Sequence, residues 1–102
     1  MYSRVTQLEI DTLRVDMDEA RWLFREEVIP RLREQEGYEG AIALSTPEGK
    51  GLIITFWETE AEARDVSGFA SAELARHVTM FRSPPGRESY DVAFSDLAGV
   101  AV

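Results

Sequence analysis

Gly51–Trp57 reads GLIITFW, a run rich in β-branched and aromatic residues and apolar on both of its sides. A run of this length and composition is a strand, and one without a polar side is a central strand covered on both faces. Helices of the same chain, lying on one side of a sheet, cover only one of those faces. A second copy of the sheet is the simplest cover for the other, so a homodimer is expected.

The flanking residues set this strand in order. Upstream, Thr46-Pro47-Glu48-Gly49-Lys50 separates it from a strand at Ala41–Ser45, a length that suits a hairpin. Downstream, Thr59 and Glu62 have capping-box spacing and open a helix that is predicted to break at Gly68 and resume to about Phe81. Ser83-Pro84-Pro85-Gly86 is a loop, and Glu88–Phe94 a last strand with Tyr90, Val92 and Phe94 on one side. The tail Ser95–Val102 is expected to add to a sheet edge or a subunit contact.

Nearer the N-terminus, Tyr2–Ile10 alternates as a strand. Tyr2, Arg4, Thr6, Leu8 and Ile10 share one side; Ser3, Val5, Gln7 and Glu9 share the other. Asp16, with Glu19 three residues on, caps a first helix. Met17, Ala20, Leu23, Phe24, Val28 and Leu32 form its apolar stripe. Pro30 removes a backbone donor and crowds the carbonyl of Glu26, which predicts a kink rather than a stop. Gly37 is read as the left-handed residue just past the helix, with Tyr38 folding back on the last turn. Trp22 and Ile29, one heptad apart and off the stripe, make a candidate contact surface.

Composition narrows the function classes. The 102 residues, 44% of them hydrophobic, suit one domain around one core. A net charge of −8 repels a phosphate backbone, and the arginines sit among glutamates rather than in a stripe, which argues against nucleic acid. No apolar run approaches the ~18 residues of a membrane span, so no membrane partner is expected and a cytoplasmic location is. The chain has no cysteine, which excludes disulfides, thiolate nucleophiles and cysteine-held zinc. Asp16, Asp18 and Glu19 are helix-start charges, and Glu26 and Glu27 diverge by about 100° on a helix. GKG at Gly49–Gly51 lacks the strand-loop-helix context of a phosphate loop. Neither a metal nor a cofactor is expected from these patterns.

The stretch EEVIPRLREQEGYEG at Glu26–Gly40, with its internal proline and Gly-aromatic exit, and ITFWETEAEA at Ile54–Ala63, with Trp-Glu before a capped helix, resemble the dimeric α/β-barrel family of antibiotic biosynthesis monooxygenase-like proteins. The resemblance runs from about Arg4 to Phe94. It implies an α+β, ferredoxin-like βαββαβ monomer with an antiparallel sheet. Two sheets would pack face to face into a dimeric α/β barrel, with a pocket between sheet and helices in each subunit. The family includes cofactor-free oxygenases of aromatic polyketides and quinols, haem-degrading enzymes, and proteins without demonstrated activity, so fold does not decide reaction.

His77, the only histidine, lies at helical spacing from Ala70, Leu74, Val78 and Phe81. As the base of a cofactor-free oxygenase it would deprotonate a phenol or quinol, with an unperturbed pKa near ~6.5. The structural alternative is a partly buried histidine paired with Glu73 or with backbone. The haem-degrading branch would make it an iron ligand, but that branch's tryptophan falls at or near Val66 and its asparagine is absent, as is every asparagine from the chain. Gln7, Tyr38, Thr55, Trp57 and Tyr90 are the groups available to hold a small apolar or aromatic ligand, Gln7 standing in as amide donor. Trp57 either walls the pocket and hydrogen-bonds the ligand or locks strand to helix. A third reading is a non-catalytic dimer that binds ligand or protein through the pocket or the Trp22/Ile29 surface.

Overall fold

GLIITFW lies within β3 (Lys50–Trp57), flanked by β2 (Tyr38–Ser45) on one side and β1 (Tyr2–Glu9) on the other. The computed structural model describes residues 1–64, 76, 80–82 and 86–97. With β4 (Gly86–Asp91) beside β1, the strands form one four-stranded sheet in the order β2-β3-β1-β4. Every neighbouring pair is antiparallel. This is the strand order of a ferredoxin-like α+β fold, and GLIITFW occupies a central strand as its composition requires.

The first helical segment begins at α1 (Met17–Leu23), continues through a π-helical turn (Phe24–Val28) and ends in α2 (Ile29–Arg33). Asp16 caps it, its carboxylate accepting the Glu19 amide at 2.8 Å. The kink expected at Pro30 takes the form of the π turn just upstream. Pro30 has no N–H for the Glu26 carbonyl, and the preceding turn widens so that the Ile29 N–H reaches the Phe24 carbonyl. The extra residue in that turn rotates Ile29 inward. Ile29 therefore packs on the core, and the exposed pair expected with Trp22 is reduced to Trp22 alone, which is half-exposed.

The helix ends earlier than the glycine signal indicated. Its C-cap is Glu34, and Gly37 carries the left-handed φ of +80° in the turn that enters β2. A β-carbon on Gly37 would collide with the Glu62 side chain, so this glycine also permits the close approach of the second helix. Residues 60–64 begin that helix, and Thr59 caps it, its hydroxyl accepting the Glu62 amide at 3.2 Å and donating to the Glu62 carboxylate at 2.9 Å. Gly68 lies outside the described residues. The hairpin loop is Thr46–Gly49, one residue shorter than expected because Lys50 opens β3, and Thr46 N–H closes it on the Lys50 carbonyl at 2.9 Å.

Leu32, Trp57 and Ala63 are the buried centre of the core, with Tyr2, Phe24, Val28, Ile29 and Tyr38 packed against it. The strand side that carries Tyr2, Tyr38 and Trp57 therefore faces the helices. Beyond β1, Ile10 bridges Phe81, and the Asp11 amide bonds the Met80 carbonyl at 2.7 Å. The last strand stops at Asp91, short of the expected Phe94, which is fully solvated with Leu97 half-exposed. Among the described residues no helix is long and apolar enough to cross a membrane.

Candidate functional site

Strand alternation divides the sheet's residues into two sets. On the helix-facing side the register stacks Tyr38, Trp57 and Tyr2 in one cross-strand row. The next row holds Ala41, Thr55, Arg4 and Ser89. Tyr38 joins its row only because of a bulge between Tyr38 and Gly40, which leaves Glu39 without an opposite residue. Simple alternation back from Ala41 would have turned Tyr38 away; the extra residue restores it to the core side.

Trp57 is fully buried, and its ring meets Tyr38 edge-on at 5.7 Å between centroids. Its indole N–H donates to the Thr55 hydroxyl at 2.8 Å. Thr55 in turn donates to the Arg4 carbonyl at 3.5 Å. The indole proton is thus held within the chain, and Trp57, packed with Leu32 and Ala63, ties β3 to the helices. Burial pushes the Tyr38 phenol above its ordinary pKa, partly offset by the Arg33 charge. Tyr38 is therefore neutral near pH 7 and able to donate a hydrogen bond.

Away from Trp57 the helix-facing layer changes character. Ala41, Ala43 and Gly51 present small side chains or none, and no residue of α1 is buried. Arg21 of α1 reaches Ser45 at the end of β2 through its Nε at 3.3 Å while its Nη1 bonds Asp18 at 3.0 Å. Packing is tight around Trp57 and thin beneath α1.

The opposite side of the sheet carries Val5, Ile42, Leu44, Leu52, Ile54 and Phe56, none of them buried in the single chain. Gln7 is on this side, exposed, at the edge of an open groove of about 390 Å³ bounded by Leu44, Thr46, Lys50 and Leu52. Tyr90 is there too, half-exposed, its hydroxyl donating to Glu88, which raises the phenol's pKa. The four ligand contacts expected together are thereby split: Tyr38 and Trp57 face the helices, whereas Gln7 and Tyr90 face away. Neither of the latter two can reach a sheet–helix pocket, because β1 and β4 turn them to the other side. His77 lies outside the described residues, as do Val66, Ala70, Glu73, Leu74 and Val78. Among the described residues no group of three His, Cys, Asp or Glu side chains could hold a metal ion.

Arg4 was not singled out from sequence, although its alternation with Tyr2 placed it on the same side. It is half-buried on a central strand, and its Nη1 donates to Ser89 at 3.3 Å. The signal that could have found it was a charged residue at a core-side position of a strand.

No family model matches the sequence, and no curated protein matches it. Solved structures do match in fold. A protein of unknown function from Nitrosomonas europaea superposes with a TM-score of 0.72 at 20% identity, over 94% of this chain and 92% of that one. The ActVA-Orf6 monooxygenase of Streptomyces coelicolor, solved with nanaomycin D, gives 0.69 at 21% identity over 94% and 90%. SnoaB of Streptomyces nogalater, a cofactor-independent oxygenase, gives 0.70 at 12% identity over 92% and 94%. At these identities the likeness is one of fold, and the chain has the ferredoxin-like fold of the antibiotic biosynthesis monooxygenase-like proteins it resembles.

Proposed function

We propose that the protein is a homodimer that binds a small aromatic or quinol-type molecule between sheet and helices, and that it acts on it as a cofactor-independent monooxygenase. The observation that carries this reading is the sheet with one side sealed by helices around Trp57 and the other apolar and uncovered. Its likeness to the fold of two oxygenases supports the choice of chemistry. Tyr38 and Trp57 contribute one donor and one wall to the pocket. His77 serves as base, removing a phenolic proton so that the electron-rich anion meets dioxygen away from water. One oxygen atom enters the ring and the other leaves as water, so that a phenol and O₂ give a quinone and H₂O without an external reductant.

Oxygen uptake with a panel of phenols and quinols tests the reaction. Turnover that falls to background in His77→Ala is expected; turnover equal in both proteins would sink the catalytic part. A haem titration followed at the Soret band separates the alternative in which His77 ligates iron, where a saturable shift lost in His77→Ala would replace the cofactor-free reading.

A further inference from the structure

We propose that the segment Val92–Leu97 of each chain seats in the groove between β2 and β3 of a second copy, with Phe94 and Leu97 on its leucines and Asp96 on Lys50. This rests on the homodimer reading above and names which parts of the two copies hold each other.

Groove and segment lie at diagonally opposite corners of the sheet. The groove is at the hairpin end of β2 and β3, where Leu44 and Leu52 stand side by side on the open face with Gln7, Thr46 and Lys50 around them. The segment follows β4, the strand at the far edge, and leaves from the opposite end. The Val92 N–H still bonds the Met1 carbonyl at 3.0 Å, and residues 93–97 then run outside any strand or helix. Single exposed apolar residues are ordinary, but here Phe94 is 87% exposed, Leu97 51%, and Leu44 in the groove 52%.

Reach decides whose groove the segment can fill. Val92 is level with Met1, and from there to the level of Gln7 is about 20 Å of strand. Two further residues carry Phe94 at most ~7 Å past Val92, and β4 is heading away from the groove. A chain therefore cannot bring Phe94 to its own groove. A second copy can. A two-fold axis lying between two facing sheets, at right angles to the diagonal that joins segment and groove, exchanges those two corners. Both segments then seat at once, as the reciprocal contacts of a two-fold dimer require.

Charge selects the same pairing. Lys50 is the only lysine in a chain of net charge −8. It lies across from Glu9, but Glu9 pairs with Arg82. The Lys50 ammonium and the Asp96 carboxylate are both without a partner among the described residues. Two acidic chains repel across most of their surfaces, and a cation at the rim of an apolar groove is where an aspartate between two apolar anchors is accepted.

Coupling with a water-soluble carbodiimide tests this, since it joins Lys50 to carboxylates in contact with it. Unlabelled and heavy-nitrogen-labelled wild-type chains are refolded together from urea, coupled, and digested for mass spectrometry. A Lys50–Asp96 link that joins labelled to unlabelled peptide is expected. In sedimentation, Phe94→Ala should raise the dimer dissociation constant about tenfold or more, while the fold of the chain is spared because Phe94 is solvated within it. A dimeric wild type without that mixed link, whether Lys50 joins Asp96 only within one chain or joins other carboxylates, overturns the proposal and leaves the homodimer standing. So does a Phe94→Ala dimer of wild-type strength. A wild type that is monomeric at micromolar concentration overturns the homodimer reading and this proposal with it.

Discussion

The helix-facing side of the sheet gathers its aromatic residues around a fully buried Trp57, whereas the open side spreads Val5, Ile42, Leu52, Ile54 and Phe56 over three strands and leaves Leu44 half-exposed. Both sides are apolar, and both belong to the same strands. Around Trp57 the first is covered within one chain, by helices whose starts are set by local signals, the Asp16 cap and the Thr59–Glu62 pair. The second has no cover of its own among the described residues. Apolarity alone, then, does not tell a core from a docking face; the difference lies in whether the same chain brings a second layer.

The largest effect that would sharpen this contrast is expected at Trp57. Trp57→Ala removes the centre of the helix-facing core and should cost about 3–5 kcal/mol in urea denaturation. A loss under 1 kcal/mol would mean that this side is no more tightly packed than the other. On the open side, Ile54→Lys should turn a dimer into a monomer in light scattering while the chain stays folded. Monomeric wild-type protein at micromolar concentration would break the comparison outright, since the apolar side would then face water.

A smaller effect is expected where the first helix hands over to β2. Gly37→Ala forces a left-handed φ on a β-carbon and meets Glu62, for a predicted loss of about 1–2 kcal/mol. The same substitution at Gly86, where a β-carbon meets nothing within 4 Å, supplies the control. The smallest effect concerns pH. The folded-state pKa of Tyr38 is raised, first by burial, so its contribution is fully present below about pH 10 and is lost as pH rises through the folded value. Tyr38→Phe should flatten that alkaline loss in thermal melts, and an unchanged profile would place Tyr38 in contact with water rather than with the core.

Much of the architecture was legible because it depends on neighbours in sequence. The two helix starts follow from side chains three residues apart, the hairpin from a short loop, and the central place of β3 from an apolar run with no polar side. The site was less so. Gln7, Tyr38, Trp57 and Tyr90 were all chemically suited to hold a ligand, yet two of them face the helices and two face away. Arg4 escaped notice for the same reason: a sequence shows that Arg4 and Gln7 lie on opposite sides of a strand, but not which side is covered.

By itself the sequence determined the order of elements, the helix caps and the central strand, since each rests on local hydrogen bonds or on the period of apolar residues. Tertiary structure alone decided the rest. One inserted residue at Glu39 turns Tyr38 toward Trp57, and one wide turn before Pro30 brings Ile29 into the core. A single residue added to a strand or a helical turn reverses or rotates everything beyond it. Whether it is added depends on what the distant layer offers in packing, which no local pattern contains.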